Sequence, residues 1–126
     1  MDYKIVIDAG HGGDDPGASG NGIIEKDLTL KISQYMYDRF RDLGIPVKMT
    51  RTTDETLSPT ERVNRVLDAF GNNKNVILIS NHINAGGEKG PCGDQITFFG
   101  IYKKDNCKFQ FIQLSFYISL NYYIFL

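Results

Sequence analysis

The sequence has no tryptophan, and among its 126 residues only two cysteines, two histidines and four prolines. Cys92 and Cys107 stand too far apart for a CxxC metal pair and are too few for a disulfide framework, so they read as incidental thiols. Neither sign of charge is in excess: 14 basic residues face 15 acidic ones, for a net charge of -1. That balance excludes a positive field for nucleic acid and a polybasic strip for a membrane surface. No leader precedes the first strand, because Met1-Asp-Tyr-Lys runs straight into it, so no signal peptide is expected. Nor is there a membrane span. The uncharged stretch 111–126 would reach about 24 Å as a helix against roughly 30 Å of hydrocarbon, and Gln113, Ser115, Ser119 and Asn121 interrupt it.

What is present is one domain's worth of alternating strand and helix signals, with no internal repeat. A chain of this length buries about two-thirds of its unfolded surface. Strand character covers residues 3–8, and a glycine-rich loop follows through Gly22. Leu28, Ile32, Tyr35 or Met36, Phe40 and Leu43 then recur at three or four residues, which predicts an amphipathic helix closed by Gly44 and Pro46. A second strand is expected at Val47 to Arg51. Ser58-Pro59-Thr60-Glu61 is a capping box with proline at the first helical position, opening a helix whose apolar face is Val63, Val66, Leu67 and Phe70. Strands follow at Val76 to Ser80 and Ile96 to Phe99. This alternation implies an α/β fold: a largely parallel sheet flanked by helices. One folded unit at 1–106 is expected, followed by an apolar aromatic tail at 107–126. That tail, with Lys108 as its one charge, shows neither a helical stripe nor strand alternation and has the composition of an aggregation-prone segment.

The stretch Ile5-Val-Ile-Asp8-Ala-Gly10-His11-Gly12-Gly13-Asp-Asp-Pro16-Gly17-Ala18 is a buried strand that ends in a flexible turn carrying a histidine. Val76-Ile77-Leu78-Ile79-Ser80-Asn81-His82 repeats the arrangement, so both histidines of the chain sit just past strand ends, where open α/β sheets bind ligands. Two imidazoles plus a carboxylate make the His2Glu set of catalytic zinc hydrolases, with a coordination position left for water. Glu25, before the first helix, is the candidate carboxylate, although a glutamate there equally serves the helix dipole.

These residues are similar to a known family. Asp8 through Ala18, Glu25 with Leu28, Thr50-Arg51-Thr-Thr-Asp54, Leu57-Ser58, Glu61-Arg62 and Ser80-Asn81-His82-Ile83-Asn84-Ala85 resemble, in order, the zinc-dependent N-acetylmuramoyl-L-alanine amidases of the family 3 type. The resemblance covers roughly residues 3 to 100. It implies zinc as cofactor with His11, Glu25 and His82 as ligands, and peptidoglycan as partner. The implied reaction is hydrolysis of the amide between N-acetylmuramic acid and L-alanine, at the cell wall. A monomer is the expected state.

The resemblance also implies a glutamate general base near the domain's end. No glutamate follows Glu88, so no catalytic base is identifiable, and the family's final elements are expected to be missing, as in a truncated or frame-shifted gene. The alternative reading is a zinc-binding remnant without turnover. Among other candidates, Arg51 and Arg62 read as surface ion-pair partners, Asn84 as a turn residue, and Asp8 either as a support for a ligand histidine or as a turn former. A phosphate-binding loop fails. Gly12 and Gly17 have its spacing, but Ala18 replaces the lysine and Asp14 and Asp15 would repel phosphate.

Overall fold

The computed structural model describes residues 3–72, 74–83, 100–105 and 108–113. Its centre is β1 (Lys4–Ala9), in which every residue after Lys4 is buried. Neighbours hydrogen-bond on both sides. β4 (Val47–Met49) lies parallel with Ile5 opposite Val47, and β5 (Val76–Asn81) lies parallel with Ile7 opposite Ile79. A strand covered on both faces and paired on both edges must be apolar throughout, which is why Ile5-Val6-Ile7 shows no alternation.

β6 (Gly100–Asp105) and β7 (Lys108–Gln113) extend the sheet antiparallel beyond β5, giving the order β4-β1-β5-β6-β7. The α/β reading with a parallel centre holds. Where no strand alternation is expected in the tail, Lys108–Gln113 forms β7, its register set by backbone pairing with β6. The strand expected at Ile96 to Phe99 lies outside the described residues, as do Asn84, Glu88, Cys92, Cys107 and the chain after residue 113. Among the described residues no helix is long and apolar enough to cross a membrane.

α1 (Glu25–Asp42) packs on the sheet face that carries Ile5, Ile7 and Ile79, adding Met36, Tyr37 and Phe40 to that core. Of the expected stripe, Met36 and Phe40 join the core and Leu28 and Ile32 are half-buried, but the most deeply buried positions of the helix are others. Its fully buried members are Thr29 and Ser33, with Glu25 at the helix start, while Tyr35 and Leu43 are exposed. The reason is position: this end of α1 lies over the polar ends of the strands. There Thr29 Oγ1 donates to Gly10 O at 2.8 Å and Ser33 Oγ accepts from Asn81 Nδ2 at 2.6 Å. Small hydroxyl residues let the helix sit close and satisfy those groups.

α2 (Pro59–Phe70) begins as expected. Ser58 Oγ accepts from Glu61 N, and the Glu61 carboxylate accepts from Ser58 N. It lies against β1 on the opposite face, where Arg62 reaches Asp8. Between β1 and α1 a small hairpin of β2 (Ser19–Gly20) and β3 (Ile23–Ile24) turns at Asn21 and Gly22, both in the left-handed region.

Candidate metal centre

Three chain segments deliver one side chain each to the same rim of the sheet. β1 ends at Ala9, and two residues later His11 adopts φ +59°, a left-handed conformation that histidine tolerates better than most residues. β5 ends at Asn81, and His82 follows directly. Glu25 is the first residue of α1, 3% exposed, with its carboxylate at the positive end of the helix. His11 Nε2 lies 3.0 Å from Glu25 Oε1, His82 Nδ1 lies 3.5 Å from the same oxygen, and the two ring nitrogens are 3.1 Å apart. The rings meet edge to face at 82°.

Those separations carry information. Ligand atoms about 2.0–2.1 Å from a tetrahedral ion stand about 3.3–3.4 Å from each other. The triangle formed by Nε2, Oε1 and Nδ1 has this size, and among the described residues these three side chains form a group able to hold a metal ion.

Each donor is held from behind. His11 Nδ1 is 2.8 Å from Asp15 Oδ2; with the proton on Nδ1, the Nε2 lone pair faces the other two donors. Glu25 Oε2 accepts from Ala18 N at 2.8 Å, and Oε1 accepts from Ile83 N. Burial first, and then the neighbouring His11, pushes the His82 imidazole below its ordinary value, which favours the neutral, ligating form. The hydrogen bond from His11 holds the Asp15 carboxyl below the usual range. Gly17, at φ +64°, passes beneath this group: a Cβ there would stand 2.6 Å from His11 Cδ2 and 2.8 Å from Glu25 Oε2.

The arginines correct the sequence reading. Arg51 is no surface ion-pair partner; it is 1% exposed and donates to backbone oxygens of Ala9, Gly10, Lys26 and Thr53. Burial lowers its pKa from the ordinary value, with Arg62 adding to the shift. Arg62 does form an ion pair, but a half-buried one with Asp8, and it also donates to Ala9 O at 2.9 Å and His11 O at 3.1 Å. Asp8 makes no hydrogen bond to an imidazole in this structure. Its oxygens take Arg62, Thr50 Oγ1 and Ser80 Oγ, tying β1 to the residue after β4, to β5 and to α2. The carboxylate that supports His11 is Asp15, four residues on; its place in the same glycine-rich turn was the available signal.

Fold and geometry together define a class: an α/β domain with a His/Glu/His cluster at the carboxyl ends of its central strands. Residues 5–118 match the family model described as N-acetylmuramoyl-L-alanine amidase, and the chain belongs to that family. It is 40% identical over 89 residues to the sporulation-specific N-acetylmuramoyl-L-alanine amidase of Bacillus subtilis, covering 69% of this chain and 33% of that one. With the amidase LytC of the same organism it shares 33% identity over 104 residues, covering 82% of this chain and 20% of that one. Among solved structures, the N-acetylmuramoyl-L-alanine amidase of Clostridium difficile 630 superposes with a TM-score of 0.61 at 30% identity, over 70% of this chain and 47% of that one. The chain thus spans at most about half the length of these relatives.

Proposed function

We propose that this chain hydrolyses the amide between N-acetylmuramic acid and L-alanine in peptidoglycan, with zinc held by His11, Glu25 and His82. The observation that carries this is the triangle of two imidazole nitrogens and one carboxylate oxygen, of tetrahedral size, in a chain of the amidase family. The donor set fits the ion: two neutral nitrogens and one carboxylate are a zinc-hydrolase set that leaves a position open. When bound, zinc supplies Lewis-acid polarisation of a carbonyl and an acidified water.

The protein's own contribution is orientation. Asp15 fixes the face that His11 presents, and the amides of Ala18 and Ile83 hold the Glu25 carboxylate in one rotamer. With both oxygens engaged and 3% exposure, Glu25 serves as ligand rather than as a proton carrier. The place of action is the cell wall, in keeping with a relative named probable cell wall amidase in Staphylococcus aureus.

The test is digestion of purified cell walls with zinc present, scored by release of free L-alanine amino termini. Release that disappears with chelator and with His82→Ala is the expected result. Zinc binding without release would instead support the second reading, a metal-holding domain without turnover.

A further inference from the structure

The geometry points to Arg62, acting with Arg51, as a positioning residue of the metal centre: the two guanidiniums grip the carbonyls of residues 9, 10 and 11 and thereby aim His11. Ala9 O accepts from Arg51 Nε at 3.0 Å and from Arg62 Nη1 at 2.9 Å. Gly10 O accepts from Arg51 Nη2 at 2.9 Å, and His11 O from Arg62 Nη2 at 3.1 Å. Every peptide oxygen from the last residue of β1 through the ligand histidine is therefore held by a cation from the loop after β4 or from α2.

The clamp acts where other restraints flank the ligand without holding its own carbonyl: Gly10 N donates to Asn81 O, Thr29 Oγ1 shares Gly10 O, and Gly12 pairs with Asp15. β1 ends at Ala9, so the sheet ladder stops before His11. His11 then takes a left-handed backbone conformation, uncommon outside glycine even though histidine tolerates it better than most residues. Fixing the carbonyls on both sides of this residue fixes its φ and ψ, and with them the direction of its Cβ. The fork of a guanidinium spans two acceptors at once, which a lysine ammonium does not match in rigidity. Arg62 Nη1 is also anchored by Asp8, so the fork is itself immobile.

This inference rests on the metal reading above, and the experiment separates the two. Zinc affinity is measured on the whole chain by competition with a chromophoric chelator, alongside thermal unfolding of the metal-free protein and the visible absorption of the cobalt-loaded form. Arg62→Lys keeps a positive charge beside Asp8 but loses the two-pronged grip. The expected result is a 10- to 100-fold weaker zinc affinity, the range seen when partners of metal ligands are removed, with an altered cobalt spectrum. Metal-free unfolding should stay close to that of the parent. Should this variant not fold, the paired change Asp8→Asn with Arg62→Gln removes both charges together and orphans neither; the same loss is expected.

Arg65→Ala, on the same helix but holding half-exposed Glu55 and Thr50 O rather than residues 9–11, should leave affinity unchanged. Zinc binding by Arg62→Lys within twofold of the parent, while His82→Ala loses it, overturns the clamp alone. A parent chain that binds no zinc, or binds it equally after His82→Ala, overturns the metal reading and the clamp together.

Discussion

Replacing Gly17 by alanine tests whether the ligand cluster is built around a missing side chain. Gly17 has φ +64°, and its added Cβ would meet His11 Cδ2 at 2.6 Å, His11 Cγ at 2.7 Å and Glu25 Oε2 at 2.8 Å. Two costs follow. The left-handed backbone costs an L residue about 1–2 kcal/mol, and the overlap, relieved only by moving the imidazole or the buried carboxylate, costs about 1–3 kcal/mol more. Gly44→Ala isolates the first cost, because Gly44 has φ +71° and open space around the added atom.

The expected destabilisation is thus about 1–2 kcal/mol for Gly44→Ala and about 2–5 kcal/mol for Gly17→Ala. Denaturant unfolding of the metal-free protein measures both. Zinc affinity provides the second readout: Gly17→Ala should lose tenfold or more, about 1.4 kcal/mol, and Gly44→Ala nothing. If the two variants were equally destabilised and bound zinc as the parent does, the close packing of Gly17 against His11 and Glu25 would not be what shapes the site.

Two further outcomes follow from the hydrogen-bond pattern. Arg51→Met takes a buried guanidinium from the oxygens of Ala9, Gly10, Lys26 and Thr53 and should cost about 3 kcal/mol or more, against about 1–2 kcal/mol for Arg65→Ala, which loses the Glu55 pair and one bond to Thr50 O; equal losses in urea unfolding would refute the contrast. Asp54 is held below its ordinary pKa of 3.8, first by the Lys26 hydrogen bond and then by the Gly13 amide. Because the folded-state pKa is the lower one, its contribution is present above 3.8 and is lost as pH falls from there through the folded value. Asp54→Asn should therefore be less stable than the parent at pH 7, with the gap closing on acidification below pH 4; a gap independent of pH would contradict the assignment.

How much of this was legible beforehand can be judged residue by residue. The capping box at Ser58 and Glu61 was readable because both partners sit within one helical turn, and it forms as expected. The strand at Ile5 to Ile7 and the helix stop at Gly44 were readable for the same reason: burial on both faces and a left-handed C-terminal turn leave local marks. The helix face of α1 was legible in part: Met36 and Phe40 reach the core as their spacing implies, while Thr29 and Ser33 carry no such mark. Spacing ranks residues by hydrophobicity, yet this helix begins over a polar rim where Thr29 and Ser33 are the better fit.

The sequence by itself determined the alternation of elements and the chemistry available at their ends: two imidazoles past apolar strands, a carboxylate at a helix start, and glycines where the backbone turns left-handed. Only the tertiary structure decided that His11, Glu25 and His82 form a triangle of ligand size, that Asp15 rather than Asp8 supports His11, and that Arg51 lies inside. The physical reason is the range of the forces. Propensity, capping and turn chemistry act within a few residues of the chain. A guanidinium that binds the carbonyls of a distant strand acts through space, and no periodicity records it.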